Sequence, residues 1–106
     1  VRGEIALKHW MGEYGSCNAF AFAYREENPD AVVKVALVNG NPHCFVYDAV
    51  LDATIDATLG QFDGCPEGGI WDGDQHPYTD HDTADEYRDE EEFENDFDYS
   101  FSPFVF

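Results

Sequence analysis

Apolar and polar positions change their period several times along this chain, and each change marks an expected element. Residues 17–27 (CNAFAFAYREE) are dense in apolar side chains, lack proline and carry Arg25 near their end. That pattern predicts a helix buried on several sides. Ser16 stands where its N-cap belongs, after chain-breaking glycines at 12 and 15, and Asn28-Pro29-Asp30 ends it. Residues 1–16 otherwise read as a mixed lead-in. The β-branched run Ala31–Val38 (AVVKVALV) predicts a strand. Asn39-Gly40-Asn41-Pro42 predicts a turn, residues 43–47 a second strand, residues 48–52 a loose turn, and Ala53–Asp56 a third, short strand. One helix followed by three strands predicts an α+β fold, a helix packed on a small antiparallel sheet.

The texture changes from Gly60 onward. Gly64, Pro66, Gly68, Gly69 and Gly73 punctuate a loop, and residues 72–82 (DGDQHPYTDHD) are polar enough to predict a hydrated acidic loop. Thr83 is placed to cap a short acidic helix over 84–93. Residues 97–106 alternate aromatic and small side chains, as a closing edge strand or a docking arm would. The chain of 106 residues therefore reads as a single domain, with a core over 15–62 and an acidic extension over 63–106 that ends in an aromatic arm.

Charge changes the picture next. The formal net charge is −18, and the only basic residues are Arg2, Lys8, Arg25, Lys34 and Arg88. Such an imbalance repels itself at low salt, whereas molar salt shortens the Debye length to about 3 Å and removes most of that cost. Acidic residues scattered along the chain with almost no lysine favour a high-salt cytoplasm or a halophile's virus particle. An acidic tail for a basic partner is the other reading. Nucleic acid is not an expected partner, because phosphate recognition needs a basic footprint. No stretch approaches the roughly 20 apolar residues of a membrane span, and no leader of the secretory type is visible. Three cysteines, Cys17, Cys44 and Cys65, leave at least one free thiol; a Cys44–Cys65 bridge is allowed but not demanded.

The candidate chemistry lies around Cys17. A cysteine at the start of a helix meets the positive end of the helix dipole, which favours the nucleophilic thiolate. Unbonded N–H groups there suit an oxyanion. A histidine at the opening of one strand, His43, and an aspartate on the next, Asp56, supply a base and a carboxylate to orient it. Asp48 and Asp52 compete with Asp56 for the third role. Asp56 is preferred because it falls inside a strand, within reach of a histidine on the neighbouring one.

The segment Gly15-Ser16-Cys17-Asn18-Ala19-Phe20-Ala21 resembles the nucleophile helix of papain-like, and more narrowly transglutaminase-like, cysteine enzymes. His43-Cys44-Phe45-Val46-Tyr47-Asp48 resembles their histidine strand, and Thr54-Ile55-Asp56-Ala57-Thr58-Leu59-Gly60-Gln61-Phe62 their aspartate strand. The resemblance covers 15–62. It implies that Cys17 is the nucleophile, His43 the base and Asp56 the orienting carboxylate. It also implies a peptide or protein amide substrate and no cofactor. The family often places a side-chain oxyanion donor before the nucleophile. No glutamine stands there, and His9, Trp10 and Tyr14 are the available substitutes.

Two other readings stand beside this one. His76, His81, Asp72, Asp74, Asp80 and Asp82, with Cys65 upstream, crowd one region as metal ligands would, but no Cys-x-x-Cys pair accompanies them. Asp72-Gly73-Asp74 resembles part of a calcium loop without its ligand series. No metal is therefore expected. The second function class is a non-catalytic structural or binding module, for example in a halophilic virus particle, that docks a protein partner through Phe97, Phe101, Phe104 and Phe106.

Overall fold

The computed structural model describes residues 3–11 and 17–87. Helix α1 spans Glu4–Trp10 and α2 spans Cys17–Glu27. Strands β1 (Ala31–Val38), β2 (Asn41–Asp48), β3 (Ala53–Asp56), β4 (Gly69–Asp72) and β5 (Asp80–Tyr87) form one antiparallel sheet in the order β4-β3-β2-β1-β5. A 3-10 turn, Leu59–Gln61, lies between β3 and β4. The architecture is α+β, with the α2 face packed on the sheet.

In α2 the buried residues are Cys17, Phe20, Ala21 and Tyr24, an i, i+3, i+4, i+7 stripe. Asn18 and Ala19 are exposed, so the helix buries one face rather than several sides. That stripe meets Ala31, Val33, Val35, Cys44, Val46 and Ile55 in the main core. Alternation along β1 and β2 puts these side chains on the helix side of the sheet. The β1–β2 hairpin closes through Asn39 (φ 52°) and Gly40 (φ 82°), the two consecutive left-handed residues that match strand twist. Strand β2 consequently begins at Asn41, two residues earlier than the sequence predicts.

Tyr24 ties three elements together. Its hydroxyl accepts a bond from the Gly3 N–H at 3.0 Å and donates to Asp48 Oδ2 at 2.6 Å. Asp48 Oδ1 in turn accepts from the N–H groups of Val50 and Leu51, holding the β2–β3 turn. This network fixes α1, which the sequence reading missed. Only Ala6 of that helix is buried, so its seven residues carry little amphipathic signal.

The second half departs further from expectation. Residues 69–72 pair with β3 as a fourth strand where a loop is predicted. The acidic helix predicted from Ala84 is instead strand over Asp80–Tyr87; positions 88–93 lie outside the described residues, as do Ser16 and the aromatic arm 97–106. The reason is the edge of β1. Without β5, β1 would leave a row of backbone donors and acceptors unpaired. Glu86 also lies opposite the buried Lys34. Lys34 Nζ bonds Glu86 Oε1 at 3.2 Å and Asp74 Oδ2 at 2.9 Å. Burial pulls the Lys34 pKa down, but the two carboxylates outweigh it and raise the value.

The link from β4 to β5 has to cross the whole sheet. Four strand spacings of about 4.8 Å require about 19 Å. Residues 73–79 form that strap. It is pinned by Thr54 Oγ1, which donates to the Gly73 carbonyl at 2.8 Å, by the Lys34–Asp74 pair, and by His76 packing on Phe45.

Replacing Tyr24 with phenylalanine removes the bond to Asp48 Oδ2 and the acceptor of the Gly3 N–H. It is expected to cost about 1–3 kcal/mol in urea unfolding with an unchanged denaturant slope.

Candidate active site

Cys17 is the first residue of α2, and its side chain is buried at 0% exposure. His43 sits on β2 beside Cys44, and Asp56 ends β3; both are also fully buried. His43 Nε2 lies 2.7 Å from Asp56 Oδ2. With Nε2 engaged by Asp56, the Nδ1 side of the ring is the one that can serve Cys17, and the Cys17 thiol and the His43 ring shift each other's pKa. The structure thus brings together the three residues that the sequence singled out, in the order thiol, imidazole, carboxylate. Phe62 packs edge-on against the His43 ring at 4.9 Å between centroids.

Asp56 is the most heavily bonded member. Oδ1 accepts the Thr58 N–H at 3.0 Å, closing a tight turn after β3. Oδ2 accepts from His43 and also from His76 Nε2 at 2.8 Å. Strand β4 can approach the Asp56 backbone because residue 68 is glycine; a Cβ there would stand 2.5 Å from the Asp56 carbonyl oxygen.

Three pKa shifts follow. Burial alone would raise the Asp56 carboxyl, but the His43 charge and the His43 and His76 hydrogen bonds hold it at about 2. Burial alone would lower His43; the Asp56 charge and hydrogen bond, then Cys17, push it up to about 10. Burial would raise the Cys17 thiol as well. The Cys44 thiol, His43 and the Cys44 N–H outweigh that and bring it down to about 6. Cys44 goes the other way: burial and the neighbouring Cys17 push its thiol well up, so it stays protonated and donates. Thiolate and imidazolium therefore coexist between about pH 6 and pH 10.

The competing aspartates have other work. Asp48 serves Tyr24 and the turn, and the exposed Asp52 accepts the Tyr47 hydroxyl at 2.7 Å. All three cysteines are free thiols, so no Cys44–Cys65 bridge forms. Of the proposed oxyanion substitutes, His9 is exposed, Trp10 packs its ring on Phe20 at 6.0 Å, and Tyr14 lies outside the described residues. Among the described residues no three His, Cys, Asp or Glu side chains gather to hold a metal ion. No described helix is long and apolar enough to cross a membrane.

His76 is the residue that sequence reasoning missed. It stood in a polar run and read as part of a hydrated loop, yet it is 2% exposed. The available signal was aromatic: Trp71 and Tyr78 flank it, and rings from Phe45 and Trp71 enclose it at 4.6 and 4.7 Å.

Comparison with family models, curated proteins and solved structures gives no match for this chain.

Two outcomes test this geometry. The Asp56 carboxyl is held below its ordinary 3.8, so its contribution to stability is present above that value and lost as pH falls through about 2. The difference in urea stability between the parent and Asp56→Asn should accordingly shrink across that interval. Thr58 Oγ1 is buried without a hydrogen-bond partner. Thr58→Val, which keeps the N–H that Asp56 needs, should leave stability unchanged or raise it by about 1 kcal/mol.

Proposed function

We propose that this chain is a cysteine-dependent amide hydrolase or acyltransferase of the papain-like or transglutaminase-like kind, working in a high-salt setting such as a halophile's cytoplasm or virus particle. The observation that carries the reading is the burial of Cys17 at a helix start, where its thiol and the His43 ring shift each other's pKa, and the bond from that ring to the buried Asp56.

The chemistry follows from the order of contacts. The Cys17 thiolate attacks the carbonyl carbon of an amide, and the carbonyl π pair moves to oxygen. Positive helix-end potential and nearby N–H groups favour that oxyanion. As the tetrahedral centre collapses, the C–N bond breaks and His43 gives the Nδ1 proton to the leaving amine, leaving a thioester on Cys17. Water or a second amine, deprotonated by His43, then attacks the thioester and releases Cys17. Asp56 holds Nε2–H throughout, so the ring keeps one tautomer and one orientation. The charge of −18 disfavours acidic substrates.

A second reading, a structural or binding module that keeps the fold without catalysis, is favoured by the complete burial of Cys17, His43 and Asp56. Its protein partner would dock through the aromatic arm.

The rate of Cys17 alkylation by iodoacetamide against pH, in molar salt, separates the two. This neutral reagent avoids the repulsion that an anionic one meets, and peptide mass locates the modified cysteine. An active pair gives a plateau above about pH 6 that disappears in His43→Ala. If Cys17 reacts only as pH approaches 9, and His43→Ala behaves identically, the catalytic reading is wrong and the module reading stands.

A further inference from the structure

His76 is built into the site more firmly than a loop histidine requires. Its Nδ1 accepts the Tyr78 backbone N–H at 3.1 Å, which leaves Nε2 as the nitrogen that donates. Nε2 points at Asp56 Oδ2, 2.8 Å away. That is the same oxygen that His43 uses at 2.7 Å, so both of its lone pairs are occupied. With the Thr58 N–H on Oδ1, the carboxylate accepts three bonds from three separate stretches of chain. Rotating it would break all three together.

We propose that His76 is a positioning residue for the reaction assigned above, acting through Asp56 on the imidazole of His43. This inference rests on the catalytic reading of Cys17, His43 and Asp56. The role has two parts. First, His76 locks the carboxylate plane, and therefore the angle at which His43 presents Nδ1 to the Cys17 sulfur. Second, by donating to Oδ2 it helps keep Asp56 ionised, so the carboxylate continues to support the His43 ring that faces Cys17.

The surroundings fit a ring held in one place. Phe45 and Trp71 enclose it, and Tyr78 contributes a third ring at 6.3 Å. Among the described residues, Lys34 and Asp74 are the charged groups that line a cavity of about 180 Å³ with it, and they are paired with each other. Among the described residues, the titratable groups around Asp56 are His43 and Cys44 on β2, His76 on the strap, and Cys65 in the loop before β4. Burial pushes both Cys44 and Cys65 up, so they remain neutral thiols.

The test uses alkylation of Cys17 against pH in the full chain, in molar salt, with three variants. His76→Leu removes the donor. His76→Gln places an amide N–H where Nε2 stands, and His76→Asn places one too short to reach. The expected result is a plateau rate about 10- to 100-fold lower in His76→Leu and His76→Asn, the scale of loosening a positioned group by roughly 1 Å. The pH midpoint in both should move up toward the ordinary thiol value of 9.0. His76→Gln should recover most of both losses. A merely structural histidine would lower unfolding stability and leave the midpoint where the parent has it. If His76→Leu does not fold, the contrast between the glutamine and asparagine variants carries the test. A parent plateau that all folded variants share overturns the role of His76 and leaves the catalytic reading intact. A parent without any plateau overturns both.

Discussion

Keeping a carboxylate ionised inside a protein costs several kcal/mol unless its oxygens are met by donors. Asp56 has no exposure at all, and two imidazoles and a backbone N–H meet it. Each donor imposes a constraint elsewhere. The Thr58 N–H requires the tight turn after β3. The His43 bond requires β2 to run beside β3 with its histidine near the start of α2. The His76 bond requires residues 73–79 to lie over the sheet rather than loop away from it. Glycine at 68 then lets β4 close against the same backbone. Much of the sheet's layout can be followed outward from this one anion.

The anion also organises charge in the thiol layer. A buried cysteine pair would ordinarily hold two protonated sulfurs. Here the imidazole that Asp56 supports turns one sulfur into the acceptor and leaves the other as its donor. The two thiols differ through position alone. Cys17 stands at a helix start and faces a ring nitrogen, whereas Cys44 lies within a strand and contributes S–H and N–H to its neighbour.

Local pattern made the first half of the chain readable. The alanine-rich run from Cys17 and the stop at Asn28-Pro29 set both bounds of α2, and the β-branched run of β1 and the short run of β3 have the predicted limits. His43 and Asp56 were legible because two strands joined by a short turn place such residues side by side. What escaped was decided by partners distant in sequence. Within β5, residues 80–82 read as polar loop and 84–87 as the start of an acidic helix, and they are a strand because β1 offers an open edge and Lys34 a buried positive charge. Short β4 depends likewise on β3. His76 looked hydrated because it sits in a polar, acidic segment; its neighbours in space are aromatic rings and Asp56. Within its own segment only Trp71 and Tyr78 hint at that difference.

The crossing from β4 to β5 has a consequence for the order in which the chain matures. Strands β1, β2 and β3 form a meander of near neighbours that closes locally, and β4 adds to it directly. The strap has eight steps between Asp72 and Asp80, at most about 28 Å when fully extended, with which to span about 19 Å. It has little slack and few routes. A nascent chain that has emerged only through β4 already holds Cys17, His43 and Asp56, yet its buried carboxylate lacks a third donor and the outer edge of β1 lacks a partner. Laying down the strap satisfies both at once, coupling completion of the site to closure of the sheet's far edge.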